Sequence, residues 1–240
     1  MEYIKTEDAE SALRLAAESL NRDIAENSEK GILLMLSGGS SLKLLPLINT
    51  GLLDLRVTIT VLDERFSNDP KINNFAQISQ TDFYRIAKDR GVNFIDTRLI
   101  NNESIEELAR RFDDGLRNWR KSSAGGKIIA TLGIGSDGHI AGIMSFPEDT
   151  RTFEELFMYD EHWIVGYDAG NKNPYPLRIT PTVPFLRDQI DFGIVYVVGE
   201  DKTDALKRIL SEEGSLSETP ARALREMKSA IIYTDITVEP

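Results

Sequence analysis

The stretch Lys127-Ile128-Ile129-Ala130-Thr131-Leu132-Gly133-Ile134-Gly135-Ser136-Asp137-Gly138-His139 decides how this chain is read. Its first half is an apolar run rich in β-branched residues, the pattern of a buried strand. Its second half carries three glycines, which let the backbone turn sharply and approach a ligand closely. Inside that turn stand a carboxylate and one of the two histidines of the chain. A strand that ends by presenting Asp and His from a glycine-rich turn is where α/β enzymes commonly keep their chemistry. Taken alone, the same residues also read as a tight turn with an Asp cap and a surface histidine.

On either side of this stretch, apolar strands alternate with amphipathic helices. Residues 5–26 read as a helix with Ala9, Leu13, Ala16, Leu20 and Ile24 on one face. Ile32 to Leu36 is an apolar run suited to a strand covered on both faces. Ser37-Gly38-Gly39-Ser40-Ser41 and a short leucine-rich helix follow, then a strand from Val57 to Leu62. A helix is expected over 79–88 and another after Ser104, where Ser104 and Glu107 form a capping box. Residues 147–152 read as irregular, 162–167 as a strand, and Pro181 as preceding a short helix. A strand from Phe192 to Val198 leads to a helix capped by Asp201, and Thr219-Pro220 starts another. Ala230 to Tyr233 closes the pattern. This alternation implies a Rossmann-like three-layer α/β/α fold with a mainly parallel, doubly wound sheet, read as one domain over 1–240.

Composition narrows the function classes. The 240 residues carry 28 basic and 39 acidic side chains, a formal net charge of −11. No basic face is evident that would release counterions from a phosphate backbone, so no nucleic-acid partner is expected. A small anionic substrate needs only a few local cations and stays open. Without cysteine there are neither disulfides nor thiolate metal sites. With only two histidines besides, no zinc site is expected. No leader-like segment or membrane-length apolar run is seen, so a cytoplasmic protein with no membrane partner is expected.

Several segments could carry chemistry. Small residues at Ser37 to Ser41, between a strand and a helix, expose N–H groups that suit a phosphate, although the Gly-Lys-Ser/Thr ending of a Walker loop is absent. Lys202 falls in the first turn of a helix, where a cation opposes the helix dipole unless an anion binds. Asp63-Glu64-Arg65 ends a strand with groups able to act as a base or to pair with substrate oxygens, or simply to compensate one another. Arg178 is equally ambiguous. Gly133-x-Gly135-x-x-Gly138 matches the dinucleotide fingerprint, but no helix starts at once, and Asp137 would repel a pyrophosphate. The match is taken as coincidental. His162, in an apolar context, reads as a packed histidine.

Together and in this order, Ser37-Gly38-Gly39-Ser40, Asp63-Glu64-Arg65, Gly133-x-Gly135-x-Asp137-Gly138-His139, Arg178-Ile179-Thr180 and Gly199 followed by Lys202 resemble the 6-phosphogluconolactonase family and its relative, glucosamine-6-phosphate deaminase/isomerase. The resemblance implies a sugar-phosphate enzyme that uses no metal and no cofactor, active as a monomer or weak homodimer. Carried over by position, Gly38, Gly39, Ser40, Arg178 and Lys202 look like the phosphate grip. His139 looks like the catalytic base, with Asp63 or Asp137 orienting it and Arg65 or backbone N–H groups facing the oxyanion. The lactonase pattern usually runs Asp-Gly-His-x-Ala-Ser-Leu-Phe-Pro, whereas here Ile140-Ala141-Gly142-Ile143-Met144-Ser145 precedes Phe146-Pro147. Asn73-Asn74-Phe75 stands where the family tends to show Ser-Asn. In the isomerase branch a Glu that supports ring opening stands where this chain has Met144, and Arg65 follows Asp-Glu as in the lactonases. Both details favour lactone hydrolysis, with a deaminase/isomerase-like enzyme and a non-catalytic sugar-phosphate sensor as the alternatives.

Overall fold

The computed structural model describes residues 1–238. In chain order the strands and helices are β1 (Glu2–Lys5), α1 (Ala9–Glu26), β2 (Ile32–Leu36), β3 (Val57–Val61), β4 (Glu64–Arg65), α2 (Asn74–Ser79), α3 (Asp82–Asp89), β5 (Asn93–Phe94) and α4 (Ile105–Ser122). They continue with β6 (Lys127–Leu132), α5 (Thr150–Phe157), β7 (Ile164–Asp168), β8 (Leu177–Pro181), α6 (Val183–Asp188), β9 (Phe192–Tyr196), α7 (Thr203–Leu210) and β10 (Ala230–Thr234). Seven strands form one parallel sheet in the order β1-β10-β9-β6-β2-β3-β5, flanked by helices. The expected α/β class and Rossmann-like layering are therefore present. Every residue of β2 and β3 is buried, as a parallel sheet covered on both faces requires.

This strand order places the cleft. After β2 the chain moves outward to β3 and later returns to lay β6 on the other side of β2, with Met35 paired to Ala130. The order therefore reverses between β2 and β6, where open α/β sheets bind ligands at their carboxyl ends. With β9 beside β6, the turns after β9, β6, β2 and β3 lie next to one another. Ser37 N–H donates to Thr131 Oγ1 at 3.0 Å and ties the two central turns together.

A second, antiparallel sheet of β4, β8 and β7 was not foreseen from the alternation of strands and helices. It pairs Arg65 with Arg178 and so carries a distant arginine over the end of the main sheet. Asp113 of α4 secures it, accepting the N–H groups of Trp163 at 2.5 Å and Ile164 at 3.0 Å.

Other local expectations are corrected. The helix expected over 5–26 is a short strand followed by α1, because Asp8 caps the helix by accepting Ser11 N–H at 2.7 Å. The helix expected over 79–88 is α3, which starts at Asp82 because Thr81 caps it; α2, ending at Ser79, lies before it and was not expected. Residues 147–152 are not wholly irregular, since Asp149 caps α5 through Thr152 N–H. Asp201 does not cap α7; its carboxylate pairs with Lys202 at 3.0 Å. Pro220 does open a helical segment, Pro220–Arg225, but of 3-10 type and without a Thr219 side-chain cap. His162 is exposed just ahead of β7 rather than packed. The Ser104–Glu107 capping box forms as expected. Among the described residues no helix is long and apolar enough to cross a membrane.

Candidate active site

The four neighbouring turns enclose a cleft of about 210 Å³. Into it converge Ser37 to Ser40 after β2, Asp63 and Arg65 after β3, Gly133 to Gly135 and His139 after β6, Lys202 after β9, and Arg178 from the small sheet. Of the residues expected to be catalytic or to grip the phosphate, all among the described residues, Asp137 alone does not line the cleft. It stands beside His139, whose Nδ1 lies 2.6 Å from Asp137 Oδ1, and the same oxygen accepts His139 N–H at 3.2 Å.

Glycine makes that pair possible. A Cβ at Gly135 would stand 2.0 Å from His139 Nδ1 and 2.4 Å from Asp137 Oδ1, so the two side chains fold across a bare Cα. Gly138, at φ 91°, completes the turn. The segment before β10 braces it, with Ala221 N–H donating to Gly138 O at 3.0 Å and Arg208 Nη2 to Ser136 O at 3.3 Å. Burial works to raise the Asp137 carboxyl, but the hydrogen bond and charge of His139 outweigh it and hold the group below the usual carboxylate range. An ionised Asp137 only accepts, so in the neutral imidazole the proton sits on Nδ1 and Nε2 is the atom that offers a lone pair.

Asp63 lies elsewhere. It is buried and accepts from Arg178 Nη2 at 2.9 Å, so it neutralises and orients that arginine rather than the imidazole. Glu64 is wholly buried and accepts four hydrogen bonds, from the N–H groups of Arg65, Asn74 and Phe75 and the Thr97 hydroxyl. Burial pushes its carboxyl up to about 7 against the pull of those donors. Arg65 stacks on Tyr175, its guanidinium carbon 4.8 Å from the ring centroid.

Several buried polar atoms here have no protein partner. Among the described residues these include Nε of Arg65, Nε of Arg178 and Oδ1 of Asn74, all on cleft-lining side chains. Unpaired guanidinium donors bordering a cleft suit an anion's oxygens. Lys202 adds an ammonium, whose only ion-pair partner among the described residues is the adjacent Asp201. Met144 is wholly buried. Three cleft residues were not singled out from the sequence as site residues: Asn74, Ala141 and Gly142. Asn74 had a signal in its place opposite the family's Ser-Asn and Gly142 in being a glycine, whereas Ala141 had none.

Comparisons with known proteins agree with this geometry. A 6-phosphogluconolactonase of Borreliella burgdorferi is 28% identical over 105 residues, which is 44% of this chain and 41% of that protein. A probable 6-phosphogluconolactonase of Dictyostelium discoideum is 26% identical over 204 residues, covering 82% of this chain and 81% of its own. The structure of 6-phosphogluconolactonase from Plasmodium vivax superposes with a TM-score of 0.74 at 20% identity, over 99% of this chain and 91% of that one, a likeness of fold. The sequence model of the family described as glucosamine-6-phosphate isomerases/6-phosphogluconolactonase matches residues 5–233. With the match running through nearly every element of the fold, this chain belongs to the glucosamine-6-phosphate isomerase/6-phosphogluconolactonase family.

Proposed function

We propose that this protein is a lactonase that hydrolyses 6-phosphogluconolactone to 6-phosphogluconate. One observation carries the reading: a paired Asp137–His139 and three cationic side chains, Arg65, Arg178 and Lys202, line or border one cleft at the switch point of the sheet. The names of the relatives support the same substrate.

In this mechanism Nε2 of His139 takes a proton from water as the water oxygen attacks C1 of the lactone. Asp137 holds the imidazole in the tautomer that leaves Nε2 free and stabilises the imidazolium that forms. The ring ester bond then breaks, and the ring oxygen takes the proton back from His139. Arg178, held by Asp63, shares the phosphate with Lys202 and the N–H groups of Gly38, Gly39 and Ser40. Phosphate binding remote from C1 orients the ester over the imidazole. The test is disappearance of 6-phosphogluconolactone, corrected for its spontaneous decay. Deamination, tested by ammonia release from glucosamine 6-phosphate, is disfavoured by the apolar, buried Met144 where that branch carries a carboxylate. Ligand-dependent thermal stabilisation without turnover of either substrate would instead identify a sensor.

A further inference from the structure

Just beyond His139, the peptide N–H groups of two buried residues have no hydrogen-bond partner among the described residues. Ala141 and Gly142 are buried, line the cleft, and both adopt left-handed backbone, at φ 50° and 79°. For an alanine this conformation is strained and persists only where its surroundings impose it. Those surroundings are visible. The carbonyl of Ile140 accepts Ile143 N–H at 2.8 Å. The carbonyl of Ala141 accepts the Thr180 hydroxyl. The carbonyl of Gly142 accepts the Tyr167 hydroxyl at 2.6 Å, and Tyr167 in turn accepts Met144 N–H at 3.2 Å.

The peptide bonds are trans, so each N–H points opposite to the carbonyl that shares its plane. The N–H of Ala141 is therefore turned away from Ile143, and that of Gly142 away from Thr180. Thr180 and Tyr167 stand outside the cleft lining, behind this loop. Neither N–H finds an acceptor among the described residues. Backbone donors of buried residues are nearly always paired, and donors left unpaired at a cleft wall are placed to meet a ligand oxygen. Asp63 lies against Gly142, but its charge is neutralised by Arg178.

We propose that the peptide N–H groups of Ala141 and Gly142 receive the lactone's carbonyl oxygen as it becomes an oxyanion, and that Thr180 and Tyr167 are positioning residues that aim them. This rests on the lactonase reading. As the water oxygen bonds to C1 and its proton passes to His139, the carbonyl electron pair moves onto the carbonyl oxygen, where the two N–H groups meet it. The carbonyl then re-forms, the bond from C1 to the ring oxygen breaks, and that oxygen takes the proton. Water is the only co-reactant consumed.

The experiment compares Thr180→Val, Thr180→Ser and Tyr167→Phe with the wild type on 6-phosphogluconolactone, each checked by circular dichroism and thermal melting. Donors aimed at developing charge act in the transition state more than in the ground state. Thr180→Val and Tyr167→Phe should therefore lower kcat by about tenfold or more, with KM shifting less than about twofold. Thr180→Ser, which keeps the hydroxyl, should restore most of the rate. Folded Thr180→Val and Tyr167→Phe variants with wild-type kcat, or an effect confined to KM, would overturn the assignment while leaving the lactonase reading intact. If the valine variant does not fold, the near-isosteric phenylalanine variant decides alone. A wild-type chain that leaves the lactone untouched would overturn both proposals.

Discussion

His139 and Asp137 are held together, because one oxygen of Asp137 meets both the ring and the backbone N–H of the histidine. His139→Asn should cut kcat/KM for the lactone by about 10²-fold or more, with an unchanged melting curve, because its ring is only partly buried. Asp137→Asn should act in the same direction at neutral pH. Its amide can donate to Nδ1, which moves the proton to Nε2 and removes the base. Gly135→Ala offers a sharper check. Its new methyl would strike His139 Nδ1 and Asp137 Oδ1, both on side chains that can swing away. Turnover should fall while the fold survives, and a crystal structure of the variant should show the pair broken. Fully retained activity in Gly135→Ala would mean that the pair is dispensable.

At the scale of elements, Glu64 joins three of them. It receives the first N–H groups of α2, the N–H of Arg65 in β4, and Thr97 beyond β5. Its folded carboxyl titrates at about 7, above its ordinary 4.5. The unfolded chain therefore gives up this proton first as pH rises, so the contribution of Glu64 to stability falls between about pH 4.5 and 7 and is flat above. Asp23, pushed by burial to about 6, adds to the same slope. Asp137, held low, acts in the opposite sense and only in acid, where stability is lost as pH drops through its folded value. Glu64→Gln should flatten the neutral slope by about 2 kcal/mol, read from urea melts at pH 5 and pH 8. The same variant should weaken substrate binding, since Arg65 and Asn74 lose a common anchor. Equal slopes in the two proteins would remove Glu64 from this role.

At the scale of the molecule, a chain of net charge −11 gathers Arg65, Arg178 and Lys202 at one cleft. Such a local field draws a phosphate ester against the overall charge and weakens with salt. Lys202→Ala should raise KM by about tenfold or more with little change in kcat, because the phosphate is bound equally in ground and transition states. Binding of 6-phosphogluconate at about a hundred times its Kd should stabilise the wild type by about 2.7 kcal/mol. That shift, followed as Tm against ligand, should shrink in Lys202→Ala and persist in His139→Asn. A shift identical in wild type and Lys202→Ala would place the phosphate elsewhere.

The amino-acid sequence by itself determined the inner strands of the main sheet and the turns that follow them, but not its edge strands β1 and β5. Buried parallel strands must be continuous apolar runs, and Ile32 to Leu36 and Lys127 to Leu132 are legible as such. The glycines of 133–138 announce a turn because their backbone demands are local, and the order of the motifs was enough to indicate the family. Tertiary structure alone decided which groups meet. Asp63 and Asp137 were equivalent candidates beside His139 until the chain placed one against Arg178 and the other against the imidazole. The small sheet that delivers Arg178 rests on β4, two residues long, too short to show any periodicity. The carbonyls of Gly142 and Ala141 accept hydroxyls from Tyr167 and Thr180, over twenty residues away in sequence. Pairings of that kind are set by packing between distant segments, and no window of sequence contains both partners.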